Sequence, residues 1–136
     1  VINENITNTV GIYIRVTRDR KCYSLDNQIT LGTELAQKAF GQIVNVEYYV
    51  EEGSDSVTQP QLSEILCDAE DGKLQAVITF DLSRIDPLLS VSLKLVELFH
   101  EAKVRFISIR QGEYDTHKSK ATYNLLSCFS KLQHQD

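Results

Sequence analysis

The chain has 136 residues, 42% of them hydrophobic, which is enough for one proper core and gives no sign of a second. Its formal net charge of −5 argues against a DNA grip spread over the whole surface, because nonspecific affinity comes largely from Lys and Arg neutralising phosphates. Cys22, Cys67 and Cys128 are odd in number and lack CxxC spacing, which speaks against a disulfide framework and a zinc site. With no secretory signal and no apolar run near the ~18 residues of a membrane span, the expected setting is cytoplasmic.

Residues 1–9, rich in Asn and Thr, read as a flexible N-terminal tail, which leaves 10–136 as one domain. The first strand, Val10–Thr17, alternates with period 2, so Arg15 and Thr17 share a face. A guanidinium fork beside a hydroxyl suits phosphate: the fork holds oxygens, and the hydroxyl donates a hydrogen bond or attacks. Arg15, Arg18, Arg20 and Lys21 form the one basic cluster. A helix is expected over Asn27–Phe40, stopped by Gly41, then a strand over Gln42–Val50. Glu51–Gln59, with its acids, Ser and Gly, reads as a loop and as the candidate mobile segment near the site. Pro60–Asp71 is a helix ended by Gly72, and Leu74–Asp81 a strand. Asp86-Pro87 is a helix-start signal, Asp as N-cap and Pro at the first helical position. The helix Pro87–Ala102 offers Leu89, Leu93, Val96, Leu98 and Phe99 to one sheet face. A strand Val104–Arg110 and a helix Lys118–Gln133 follow. The last helix carries Leu125, Leu126, Phe129 and Leu132, a stripe that serves a core and an interface equally well.

Strands alternating with helices predict an α/β fold with a doubly wound, mainly parallel sheet flanked by helices. His100, His117 and His134 are scattered along the chain and make no recognisable catalytic triad pattern.

Five segments in this order resemble the N-terminal catalytic domain of the serine recombinases, the resolvase and invertase family. They are Tyr13-Ile14-Arg15-Val16-Thr17; Ser24-Leu25-Asp26-Asn27-Gln28; Glu52-Gly53-Ser54 through Gln59-Pro60-Gln61-Leu62; Phe80-Asp81-Leu82-Ser83-Arg84-Ile85; and Gly112-Glu113-Tyr114-Asp115-Thr116 leading into an apolar helix. The resemblance spans Val10 to Gln133. It implies a resolvase-like fold and cleavage and rejoining of DNA through a covalent protein–DNA phosphoester, as in site-specific recombination by mobile elements. Thr17 stands at the nucleophile position, with Arg15 and Arg84 as phosphate ligands and Gln28, Ser83 and Gln59 as secondary contacts. It implies no cofactor and no metal. The implied partners are DNA, engaged through a C-terminal region lying after Asp136, and further copies of the chain as a homodimer or higher oligomer. No membrane partner is implied.

The departures from the family pattern are specific. Thr17 replaces the family's serine, Gln59 replaces the arginine before proline, Ser83 replaces the acid before Arg84, Pro87 stands where a second arginine is usual, and Gln133-His134 replaces a Glu-Arg pair. In-line attack on a phosphodiester concentrates negative charge on the phosphoryl oxygens, and one lost donor costs about 10²–10³ in rate. Thr is also a hindered secondary alcohol with a stiff χ1. The expectation is a weakened or inactive recombinase domain; the alternative is a noncatalytic regulatory or protein-interaction module derived from one. A phosphoacceptor receiver could use Asp81 at a strand end, but needs clustered acids after the first strand where Arg15 and Thr17 stand. Nucleotide-binding glycine motifs are absent. No base-reading module is visible, so any DNA binding by this chain alone is expected to be weak and without sequence preference.

Overall fold

The computed structural model describes residues 8–16, 25–52, 59–81 and 89–114. These form β1 (Thr9–Val16), α1 (Leu25–Phe40), β2 (Asn45–Glu52), α2 (Pro60–Glu70), β3 (Ala76–Thr79), α3 (Leu89–Glu101), β4 (Arg105–Ser108) and β5 (Gly112–Glu113). The sheet order is β2-β1-β3-β4-β5, with the first four strands parallel and β5 antiparallel to β4. The predicted doubly wound, mainly parallel sheet is therefore the fold.

The alternation of β1 splits its side chains between two apolar layers. Val10, Ile12 and Ile14 face α1 together with Ala36, Ala76, Ile78 and Ile107. Tyr13 faces the opposite layer, built on α2 and α3, with Tyr49, Ile65, Val77, Val96, Phe99 and Phe106. The helix α1 turns Gln28, Gly32 and Ala36 inward at i, i+4 and i+8, one stripe of a helix. Gly32 lets α1 approach β1 closely: a Cβ there would lie 3.0 Å from Ile12 Cγ2.

The chain steps from β1 to β2 on one side and then back past β1 to β3, moving helices from one face to the other. The order reverses between β1 and β3, and in open α/β sheets ligands bind outside the carboxyl ends of strands at such a switch point. Arg15 lies at the carboxyl end of β1.

Several boundaries differ from the expectation for physical reasons. β2 starts at Asn45 because Gly41, at φ 104°, opens a turn closed by Val44 N–H donating to Gly41 O. Glu51 and Glu52, expected in a loop, extend β2 in register with Arg15 and Val16. Gly112-Glu113, for which no strand was expected, pairs with β4, beside the Arg105–Glu113 contact. In α3, Val96 and Phe99 are buried as expected, whereas Leu98 points outward at 39% exposure. The Asp86-Pro87 helix start, the tail 1–7, the loop 53–58 and the helix expected at Lys118–Gln133 lie outside the described residues.

Candidate functional site

The carboxyl ends of β1 and β2 and the first turn of α2 meet in a buried polar cluster. Arg15 is 4% exposed and Glu51 5% exposed. They are register partners, so both side chains leave the same face of the sheet. Tyr13, two residues before Arg15, shares that face and donates from its hydroxyl to Glu51 Oε1 at 3.2 Å.

Glu51 also settles how α2 begins. Pro60 fits the first helical position because its missing N–H is unneeded there, but the N-cap residue Gln59 makes no side-chain cap. The next two N–H groups, of Gln61 and Leu62, donate instead to Glu51 Oε1 at 3.0 and 3.1 Å. A carboxylate from a neighbouring strand thus caps the helix, where the macrodipole favours negative charge.

Gln59 sits on the same network, its Nε2 donating to the Tyr13 hydroxyl at 3.2 Å. Burial pushes the Tyr13 phenol well above its ordinary value; the Gln59 hydrogen bond and the Arg15 charge pull it back in part, and the Glu51 charge raises it further. Tyr13 is therefore neutral and acts as a donor to Glu51.

Gln28 is buried on α1 and donates from Nε2 to the main-chain oxygen of Arg15 at 3.4 Å, tying α1 to the end of β1. Of the six residues singled out in the sequence, Arg15, Gln28 and Gln59 come together around this strand end. Thr17, Ser83 and Arg84 lie outside the described residues.

At the carboxyl end of β3, Asp81 accepts from Gln111 Nε2 at 3.4 Å and lies 3.8 Å from Arg110 Nε. Gln111 is held in turn by Ser108. The neighbours of Asp81 among the described residues include an amide and a guanidinium. Among the described residues no group of three His, Cys, Asp or Glu could hold a metal ion, and no helix is long and apolar enough to cross a membrane.

Glu51 and Tyr13 are the site residues that the sequence reading missed. The signals were present: Tyr13 and Arg15 are two apart on one strand, and Pro60 opens a helix with Gln59, not Ser, Thr, Asp or Asn, immediately before it, a vacancy that another element can fill.

A family model described as "Resolvase, N terminal domain" matches residues 10–135. A search of curated proteins finds no significant match. Among solved structures, the N-terminal catalytic domain of TP901-1 integrase superposes with TM-score 0.70 at 23% identity, covering 93% of this chain and 97% of that one. A resolvase family site-specific recombinase from Streptococcus pneumoniae gives 0.63 at 22%, covering 93% and 88%. The C-terminal catalytic domain of ISC1926 TnpA, an IS607-like serine recombinase, gives 0.62 at 18%, covering 91% and 80%. These likenesses establish a shared fold, and the family match extends over nearly the whole chain. The chain belongs to the resolvase family of serine recombinases and carries that family's N-terminal domain over residues 10–135.

Proposed function

We propose that this domain performs DNA strand cleavage and rejoining in site-specific recombination, at a rate weakened by its missing arginines. Thr17 Oγ1 attacks the phosphorus of a DNA phosphodiester. The bond from phosphorus to the leaving sugar oxygen breaks, that oxygen takes up a proton, and the phosphoryl group remains joined to Thr17. Reversal by a new sugar hydroxyl rejoins DNA, so the bond energy is conserved and no cofactor is consumed. Arg15 and Arg84 stabilise the phosphoryl oxygens. Ser83 and Gln59 supply secondary polar contacts, and Gln28 acts by holding the strand end that carries Arg15. DNA is the partner, and the working assembly is a homodimer or higher oligomer.

The observation that carries this reading is Arg15, a guanidinium buried at the carboxyl end of β1 beside the switch point of the sheet, in a chain of recombinase family. The test joins the domain to a DNA-binding module and offers it nicked, site-bearing DNA. Denaturing gels and peptide mapping should find a slow covalent adduct at Thr17. Absence of any adduct, in the presence of normal DNA binding, would favour the noncatalytic regulatory module.

A further inference from the structure

The seat at the start of α2 already holds an oxyanion, and it is the protein's own. Glu51 Oε1 accepts from the N–H groups of Gln61 and Leu62 and from the Tyr13 hydroxyl, three donors converging on one oxygen. A helix N-terminus is where phosphate oxygens ordinarily bind, and here it faces the end of β1 that presents Arg15. The carboxylate and the guanidinium are both sealed from water on one sheet face. A phosphodiester that reaches Arg15 therefore meets a fixed negative charge, as well as donors that are already engaged.

We infer that Glu51 sets the anion affinity of this site: its carboxylate occupies the donors of α2 and opposes a phosphodiester at Arg15, so that phosphate binds there more weakly than it would without that charge. The inference rests on the phosphate-handling reading of Arg15. Electrostatics gives its sign. A fixed like charge close to the phosphate, at an effective dielectric of about 20, changes affinity by about tenfold or more even after partial screening. The geometry also separates this role from simple capping. Glutamine at 51 keeps an oxygen for the Gln61 and Leu62 N–H groups and removes only the charge.

The test titrates the full chain with dimethyl phosphate, the simplest phosphodiester monoanion, and follows the backbone amides of Gln61 and Leu62 by NMR. Glu51→Gln should bind about tenfold more tightly than the unmodified chain, with the response centred on those amides. Adding Arg15→Gln to Glu51→Gln should remove the gain. Should Glu51→Gln melt near the working temperature, the rise in Tm on adding dimethyl phosphate reads the same affinity, and it should be larger in the variant than in the parent. Equal or weaker binding by Glu51→Gln, with Arg15-dependent binding still present in the parent, overturns the inference and leaves the phosphate reading standing. Binding that is indifferent to Arg15 in both backgrounds, or absent from both, overturns the phosphate reading and the inference with it.

Discussion

An arginine and a glutamate stand on adjacent strands at two places in this domain, under opposite conditions. Arg105 and Glu113 join β4 to β5 through a bidentate contact at 2.7 and 2.9 Å, with side chains 51% and 39% exposed. The Arg105 guanidinium also lies 4.8 Å from the Phe40 ring centroid, and the carboxylate holds it above its ordinary pKa. Arg15 and Glu51, in register on β1 and β2, are almost wholly buried. Good geometry in solvent brings little, because water already satisfied both charges. Burying a charge costs several kcal/mol that only surrounding donors and an opposite charge offset. The first arrangement staples a short edge strand, and the second is expensive to keep. Expense of that kind concentrates at functional sites, which is why the β1–β2 end and not the β4–β5 edge is read as the working end.

The largest effect that sharpens this contrast is at Glu51. Glu51→Ala strips the buried acceptor from Gln61, Leu62 and Tyr13 and leaves those donors unsatisfied, at a cost of about 1–3 kcal/mol. Denaturant unfolding measures it, and Glu51→Gln should lose less, because an acceptor oxygen remains. A loss from Glu51→Ala no larger than that from Arg105→Ala would dissolve the contrast.

Tyr13 gives a smaller effect with a definite pH signature. Its folded-state pKa is raised above the ordinary phenol value near 10, burial being the largest cause. Stability linked to Tyr13 is thus fully present below about pH 10 and is lost as pH rises, because the unfolded chain ionises first. Tyr49, buried and hydrogen-bonded to Asp68 at 2.7 Å, is raised in the same direction. Tyr13→Phe should cost about 1 kcal/mol at neutral pH and flatten the alkaline fall in stability, leaving the Tyr49 contribution. An unchanged alkaline slope in Tyr13→Phe would remove Tyr13 from the buried cluster.

How far these regions could be read from sequence differs in the same way. β1 was legible because a short run of Val, Ile and Tyr allows few structures besides a strand, here buried on both faces, and Arg15 rode on it. The helix ends at Gly41 and Gly72 were legible because both need positive φ, observed at 104° and 79°. Glu51 was illegible because its partners are 10, 11 and 38 residues away in sequence, and an acid next to Glu52-Gly53-Ser54 looks like a loop until β1 and α2 are folded against it. β5 was illegible for a related reason: Gly112 and Glu113 have no strand propensity of their own and pair against Ser108 and Ile107 of β4 once that strand is folded beside them. Local pattern writes elements, and partners brought from elsewhere write sites.

The smallest predicted effect completes the contrast. Arg105→Ala should cost no more than about 1 kcal/mol, and the difference from the parent should shrink in molar salt as the exposed charges are screened. Thermal melts at two salt concentrations would show it, and a salt-independent loss of several kcal/mol would mean that the β5 edge is a structural keystone and not a staple.

The central claim is that this domain keeps a recombinase's phosphate-handling strand while lacking part of its transition-state charge, and the rate of covalent DNA adduct formation tests it most directly. With the domain joined to a DNA-binding module on nicked site DNA, Thr17→Ser alone should gain little over the unmodified chain. Thr17→Ser combined with Gln59→Arg should gain about 10²-fold, the value of one restored donor. Adduct formation by the unmodified domain as fast as by the double variant would contradict the account, because Thr17, Arg15 and Arg84 would then suffice without the arginines this chain has lost.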